Sequence, residues 1–154
     1  MLRIQNLVAG MFLAAMTLAA CAVDQPSRVD EGAVQISSVD ELSNYVKTTP
    51  HSPLDHLSAA GKQHFIDSLV FTRDGLASYR YSELEGLTAT EAHQILSLFG
   101  VENTIGMVAR LRVTTDGDRS VIQSARPEEG FKDMRCTEWS TCEPDIGSIC
   151  SDKC

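Results

Sequence analysis

Apolar residues recur along this 154-residue chain with different periods, and each period predicts a different kind of element. A near-continuous apolar run fills residues 7–20. At about fourteen residues it falls short of the ~20 that a membrane-spanning helix needs, and it fits the apolar core of a cleavable export signal. From Ser38 the spacing becomes helical: Ser38-Val39-Asp40-Glu41 reads as a capping box, and Val39, Leu42 and Val46 follow at intervals of three and four. This predicts a short first helix that ends before Pro50. Leu57, Gly61, Phe65 and Leu69 fall four apart and predict a second helix, starting at Ser52-Pro53 or at Ser58. At Val70 the period shortens to that of extended chain. Val70–Thr72 and Leu76–Tyr81 flank Arg73-Asp74-Gly75, whose glycine can take the positive φ of a tight hairpin.

A second capping box, Thr88-Ala89-Thr90-Glu91, precedes Ala92, Ile95, Leu96 and Phe99 on one helical face, with Gly100 in the position of a left-handed C-cap. A helix from Ala89 to Phe99 is expected. Beyond Asn103 two readings compete. Met107, Ala109, Leu111 and Val113 alternate with Val108, Arg110 and Arg112 as in a half-buried strand, while Ile105, Val108 and Ala109 also suit a helix. The strand is the favoured reading, followed by a turn at Thr114–Asp118 and a second strand at Ser120–Gln123. Arg126-Pro127-Glu128-Glu129-Gly130 then breaks the pattern. The expected architecture is one small α+β domain over residues 38–125, with about three helices and short antiparallel strands, followed by a cysteine-rich tail over 126–154. Its predicted core is Leu42, Val46, Leu57, Phe65, Leu69, Phe71, Ala92, Ile95, Leu96 and Phe99. A domain of this size buries only about 60% of its unfolded surface, so covalent staples would add usefully to its stability.

The N-terminal run changes the picture most. Met1-Leu2-Arg3 supplies the positive charge of an export signal, and the run closes on Leu18-Ala19-Ala20-Cys21. Small residues before a cysteine let a peptidase grip extended backbone, and the thiol is the atom on which a thioether to diacylglycerol forms. These four residues resemble the lipobox of the bacterial lipoprotein signal class; the resemblance covers the targeting segment only. It implies a signal over 1–20 and a mature chain anchored to membrane by acyl groups at Cys21, where two or more chains give stable attachment. Ala22 in place of Asp leans, by the same resemblance, toward the outer membrane. Plain secretion is the alternative, since Ala20-Cys21-Ala22 also matches an A-x-A cleavage site. Residues 21–37, with Asp24, Pro26, Asp30, Glu31 and Gly32, read as a tether between anchor and domain.

Charge and cysteine usage agree with an exported protein. Losing Arg3 with the signal leaves 12 Lys and Arg against 21 Asp and Glu, a net charge near −9. So acidic a chain is ill suited to nucleic acid, where Lys and Arg must replace phosphate counterions. With Cys21 assigned to lipid or signal, four cysteines remain: Cys136, Cys142, Cys150 and Cys154. An even, clustered set in an oxidising compartment reads as two disulfides, in any of three pairings, with a four-thiolate zinc site as the alternative. Pro144-Asp145-Ile146-Gly147 reads as a turn that brings Cys142 opposite Cys150 and Cys136 near Cys154; the interlaced pairing is almost as compatible with the spacing.

Candidate chemistry is sparse. His51, His56 and His64 with Asp55 and Asp67 form the densest group of potential ligands, yet no two histidines have the i, i+4 spacing of a helical metal site. His93 is expected at solvent. Asp116-Gly117-Asp118 resembles a fragment of a calcium loop without its remaining ligands, Glu83 and Glu85 are paired surface carboxylates, and no serine or cysteine sits in a nucleophile motif. No catalytic residue, metal site or cofactor is assigned. Trp139 in the tail, with Tyr79 and Tyr81 on one strand face, is the candidate binding surface. The chain reads as a non-catalytic cell-envelope lipoprotein, facing the periplasm or the cell surface, that binds a protein or peptide. The alternatives are a secreted precursor releasing its cysteine-rich peptide and a small envelope hydrolase using His56, His64 or His93.

Overall fold

A computed structural model describes residues 35–125 and 130–154. The expected signal, the expected lipobox with Cys21 and most of the expected tether lie outside these residues, as does the segment 126–129. Four α-helices and a four-stranded antiparallel sheet make this an α+β chain. The helices are α1 (Val39–Thr48), α2 (Ala59–Ser68), α3 (Ala89–Ser97) and α4 (Asp116–Ser124); the strands are β1 (Val70–Thr72), β2 (Gly75–Arg80), β3 (Gly130–Glu138) and β4 (Thr141–Ser151).

Local signals account for the helix starts. Ser58 accepts from the Gly61 amide at 3.1 Å and so caps α2. Thr88 and Glu91 bond reciprocally at the head of α3, at 2.8 and 3.2 Å. At α1 the Ser38 hydroxyl accepts from the Glu41 amide, whereas the Glu41 carboxylate reaches one residue further back, to the amide and hydroxyl of Ser37. Each bond satisfies an amide that the first turn of a helix leaves unpaired.

Sheet order is β1-β2-β4-β3. The expected hairpin is β1–β2, and it carries a bulge: Val70 pairs with Ser78 and Phe71 with Leu76, leaving Ala77 as the extra residue. Strict alternation would send Leu76 and Tyr79 to opposite faces; with one residue inserted, both join the main core. The cysteine-rich segment is built into the sheet. Its two strands pair with each other, and β4 pairs with β2 through Ser78–Arg80 against Ser148–Cys150. Alternation along β4 places Ile149 in the helix-covered core and Cys150 on the opposite face, where Ala77, Cys136 and Cys150 form a second apolar cluster.

The main core is organised around four aromatic rings. Phe71, Phe99, Phe65 and Tyr79 follow one another with centroids 6.3, 6.1 and 6.1 Å apart, in tilted or edge-on contact. Of the predicted core, Leu42, Leu57, Phe65, Ala92, Ile95, Leu96 and Phe99 are buried, and Leu69 and Phe71 pack partly buried against them. Val46 is 40% exposed and Val39 63%, so the inward face of α1 is rotated from the expected stripe and keeps Leu42 of it. Ile36, assigned to the tether, is fully buried and donates its amide to the Leu98 carbonyl at 2.6 Å. Pinned there, α1 presents Leu42 and Tyr45 to the core.

The largest correction concerns residues 102–124. Glu102–Met107 form a 3₁₀ turn, and the expected strand at 107–113 is absent. Thr104, Ile105, Met107 and Val108 are all buried, which an alternating strand does not allow, and Arg110 has a left-handed φ of 55°. The backbone of 110–112 pairs instead with the loop at Gly86–Ala89. The expected second strand, Ser120–Gln123, is the body of α4: Thr115 and Asp118 form a third capping box where a turn was read.

Candidate functional site

Among the described residues two places combine exposure with chemistry, and the first is the β3–β4 hairpin. Its register closes at Glu138 against Thr141, so Trp139 and Ser140 make the turn, with Ser140 left-handed at φ 67°. Opposite Lys132 to Met134, β4 runs from Ile149 to Pro144, so Asp145–Ser148 leave the pairing with β3 across from Asp133 alone, while Ser148 stays paired with Arg80 of β2. An extended strand advances about 3.3 Å per residue, yet the Cα atoms of Cys142 and Cys150 are 6.1 Å apart because of this excursion. Asp133 holds the excursion in place, its carboxylate accepting from the Gly147 amide at 3.0 Å and the Tyr81 hydroxyl at 2.7 Å. Those two donors, the Gly147 amide foremost, hold the Asp133 carboxyl below the usual range.

The disulfides are Cys142–Cys150 and Cys136–Cys154, the nested one of the three pairings. Cys142–Cys150 closes the looped-out segment, and Cys136–Cys154 ties the last residue back to β3. The carboxy-terminal residues also bridge to other elements. Thr72 donates its hydroxyl to the Lys153 carbonyl at 2.7 Å, and the Lys153 ammonium donates to the Phe99 and Gly100 carbonyls at 3.2 and 2.9 Å, where it caps the end of α3.

Trp139 is 63% exposed, and the Arg73 guanidinium from the β1–β2 turn lies 4.2 Å from its ring centroid. An exposed cation–π contact of this kind is worth about 0.5–1 kcal/mol and holds the indole in place without covering it. Phe131 and Ile146, 61% and 86% exposed, belong to the same hairpin, which therefore presents half of the large exposed apolar side chains among the described residues. Tyr79 and Tyr81 are not part of this surface. Both are buried, because the Ala77 bulge turns the end of β2 toward the helices. The Thr104 hydroxyl donates to the Val101 carbonyl at 2.7 Å, which leaves it as acceptor for the Tyr79 hydroxyl at 2.5 Å. Burial raises the Tyr79 pKa, and the bond to the Asp133 carboxylate pushes that of Tyr81 up to about 12.

The second place is a pair of clefts that divide the histidines. His51, His56 and His93 line one of about 630 Å³, with Asp55, Gln94 and Ser97. His64 and Asp67 line another of about 330 Å³, beside Arg80, Glu83, Arg135 and Asp145. The sequence neighbours His56 and His64 are parted because the chain turns between the 3₁₀ turn at Pro53–His56 and α2, while α3 brings His93 to the first cleft. His56 sits 3.7 Å from Glu91 and 3.2 Å from the Gln94 amide oxygen; His64 sits 3.9 Å from Glu83. The Ser97 hydroxyl is 3.3 Å from His93 Nδ1, but its proton goes to the His93 carbonyl at 2.8 Å, so the serine is not presented to the imidazole as a nucleophile. Glu85 is ion-paired to Arg110. Among the described residues, the ligand atoms that come together in a group of three are the sulfurs of Cys136, Cys150 and Cys154, which are committed to disulfides.

Sequence reasoning missed one polar centre. Asp118 is 1% exposed and accepts from the amides and hydroxyls of Thr90, Thr114 and Thr115, at 2.7 to 3.0 Å. These donors, led by the Thr90 hydroxyl, hold its carboxyl far below the usual range. It locks the heads of α3 and α4 together and has no lone pair left for calcium, while Asp116 is almost fully exposed and pairs with Arg119. The T-x-x-D spacing of Thr115 and Asp118 was the available signal. No helix among the described residues is long and apolar enough to cross a membrane. Comparison with protein-family models, with curated proteins and with solved structures finds no match to this chain.

Proposed function

We propose that this chain is a non-catalytic lipoprotein of the bacterial cell envelope, anchored through acyl groups on Cys21, that offers its β3–β4 hairpin to a protein or peptide partner. The observation that carries the reading is Trp139: the one tryptophan of the chain stands 63% exposed at the turn of a hairpin braced by two disulfides. Tryptophan combines large apolar area with a hydrogen-bond donor at little cost in side-chain entropy, and it is over-represented where partners bind most tightly. Bracing the turn lowers the ordering cost of association. Disulfides persist in exported proteins and are rare in a reducing cytoplasm, which supports the export signal read at residues 1–20. The acidic surface that remains after signal removal argues for a protein partner over nucleic acid.

The test is a photoreactive residue placed at position 139 in living cells, with the same residue at exposed Asp40 on α1 as control. A discrete protein adduct from position 139 that is missing from position 40 supports the binding surface. Equal labelling from both positions removes it. Detergent-phase partition of the wild type, lost in Cys21→Ser, tests the anchor independently.

A further inference from the structure

The two disulfides lie side by side. The sulfurs of Cys136, Cys150 and Cys154 all lie within 4.8 Å of one another on the sheet face turned away from the helices, although Cys150 belongs to one bridge and Cys136 and Cys154 to the other. Their burial is unequal: Cys136 and Cys150 are buried at 4% and 0%, and Cys142 and Cys154 are partly open. An incoming thiolate therefore meets Cys142 or Cys154 first, and the sulfur it displaces is in either case an inner one, already beside the other bridge. A further feature supports the inner position. The Ser78 hydroxyl is fully buried without a hydrogen-bond partner, and Ser78 is directly opposite Cys150 in the β2–β4 pairing. Opposite residues in an antiparallel pair hold their Cβ atoms about 4.5–5.5 Å apart, so this hydroxyl is placed to donate to a thiolate formed at Cys150.

We propose that the four cysteines form a thiol–disulfide relay that accepts two electrons from a dithiol and comes to rest with a new Cys136–Cys150 bridge and free thiols at Cys142 and Cys154. In one route a thiolate of the dithiol attacks Cys142 Sγ. The Cys142–Cys150 bond breaks, a mixed disulfide forms at Cys142, and Cys150 leaves as thiolate. Cys150 then attacks Cys136 Sγ, forming Cys136–Cys150 and expelling Cys154, which takes up a proton. The second thiol of the reductant attacks its own sulfur in the mixed disulfide, closes the reductant's disulfide and releases Cys142, which takes up the other proton. In the alternative route attack falls on Cys154, Cys136 leaves and attacks Cys150 Sγ, Cys142 is expelled, and resolution frees Cys154. Both routes give the same product. The dithiol is oxidised by two electrons, the protein is reduced by two, and the dithiol's two protons end on Cys142 and Cys154. The product bridge joins the two buried sulfurs and is shielded from further attack. Its formation opens both the looped-out segment and the closure of the carboxy terminus beside Trp139, which links the redox state of the cluster to the hairpin tip.

The experiment uses the full chain carrying Cys21→Ser, so that the four cysteines of the cluster are the only ones present. The oxidised protein is exposed to limiting dithiothreitol, quenched in acid, alkylated and mapped by mass spectrometry. The expected two-alkyl species carries its labels on Cys142 and Cys154 and a Cys136–Cys150 cross-linked peptide. A two-alkyl population holding only Cys136–Cys154 or Cys142–Cys150, with labels on the other native pair, overturns the relay. The double variant Cys142→Ser with Cys154→Ser, folded by circular dichroism, adds a second reading. Air oxidation should consume both remaining thiols as an intramolecular bridge, and two persistent free thiols in the folded protein would rule the exchange out.

Discussion

Replacing Phe99 with alanine should cost this chain a large share of its stability, and the reason is its place in the row of aromatic rings. Phe99 is fully buried, with Phe65 on one side at 6.1 Å and Phe71 on the other at 6.3 Å. Removing a buried phenylalanine ring costs about 3–5 kcal/mol in lost transfer energy and residual cavity. Two ring pairs are broken at once, each worth roughly 0.5–1.5 kcal/mol beyond the area it buries, so the upper half of that range is expected. Small domains of this kind hold together by about 5–15 kcal/mol in total. In urea, with a slope near the middle of the usual ~1–3 kcal/mol per molar, a loss of about 4 kcal/mol moves the unfolding midpoint down by roughly 2 M. Phe99→Leu, which keeps most of the volume, should lose less than about 1.5 kcal/mol. The assay is equilibrium urea unfolding followed by circular dichroism, with the slope checked for constancy between variants. A midpoint shift for Phe99→Ala below about 0.3 M at unchanged slope would show that the ring is not load-sharing in the core and would refute the packing argument.

Intact mass of the mature protein should show acyl mass on Cys21, and Cys21→Ser should leave unprocessed or soluble protein; a mature chain that begins at Val23 without acyl mass refutes the anchor. Reduction should raise the native mass by about four hydrogens, two per bridge, and equal masses would exclude the disulfides. Trp139→Ala should change stability by no more than about 1 kcal/mol, the scale of its contact with Arg73, while abolishing the photocross-linked adduct; a large destabilisation would make the indole structural. All three tyrosines, Tyr45, Tyr79 and Tyr81, have raised pKa values in the folded chain, so tyrosinate absorbance at pH 10 should be lower natively than in urea. Because the folded values lie above the unfolded one of about 10, the stability they confer is complete below pH 10 and is lost as pH rises, toward about 12 for Tyr81. The carboxyls of Asp55, Glu91, Asp118 and Asp133 are lowered, so their contribution is complete above the ordinary carboxylate range near pH 4 and is lost as pH falls below it. Asp118→Asn should flatten that acid limb; an unchanged limb would show that the threonine donors do not bind the charged form preferentially.

How much of this was legible in the chain depends on how local each cause is. The Ser38 cap, the capping box at Thr88–Glu91, the stripe of Ala92, Ile95, Leu96 and Phe99, and the glycine of the β1–β2 turn act within a few residues of one another, and the helices and hairpin they predict are present. The even count and clustering of the last four cysteines likewise pointed to two bridges. Residues 102–124 misled because alternation and helical spacing coincide there. Burial of Ile105, Met107 and Val108 together, and the demand of Asp118 for the Thr90, Thr114 and Thr115 donors, decided between them only once α3 had packed alongside. The same holds for the candidate site. Trp139 could be singled out by its type, but its exposure depends on the pairing of β3 with β4, and the burial of Tyr79 and Tyr81 on one extra residue at Ala77. The histidines were divided by the path between the 3₁₀ turn and α2 and rejoined by α3, and the pairing of the cysteines was chosen by the excursion at Asp145–Ser148 that Asp133 holds in place. What the sequence determined alone was short-range: caps, turns, stripes and the pool of cysteines. Register, face and cysteine partner were left to tertiary structure, because each depends on contacts between residues tens of positions apart, whose free energy no local pattern encodes.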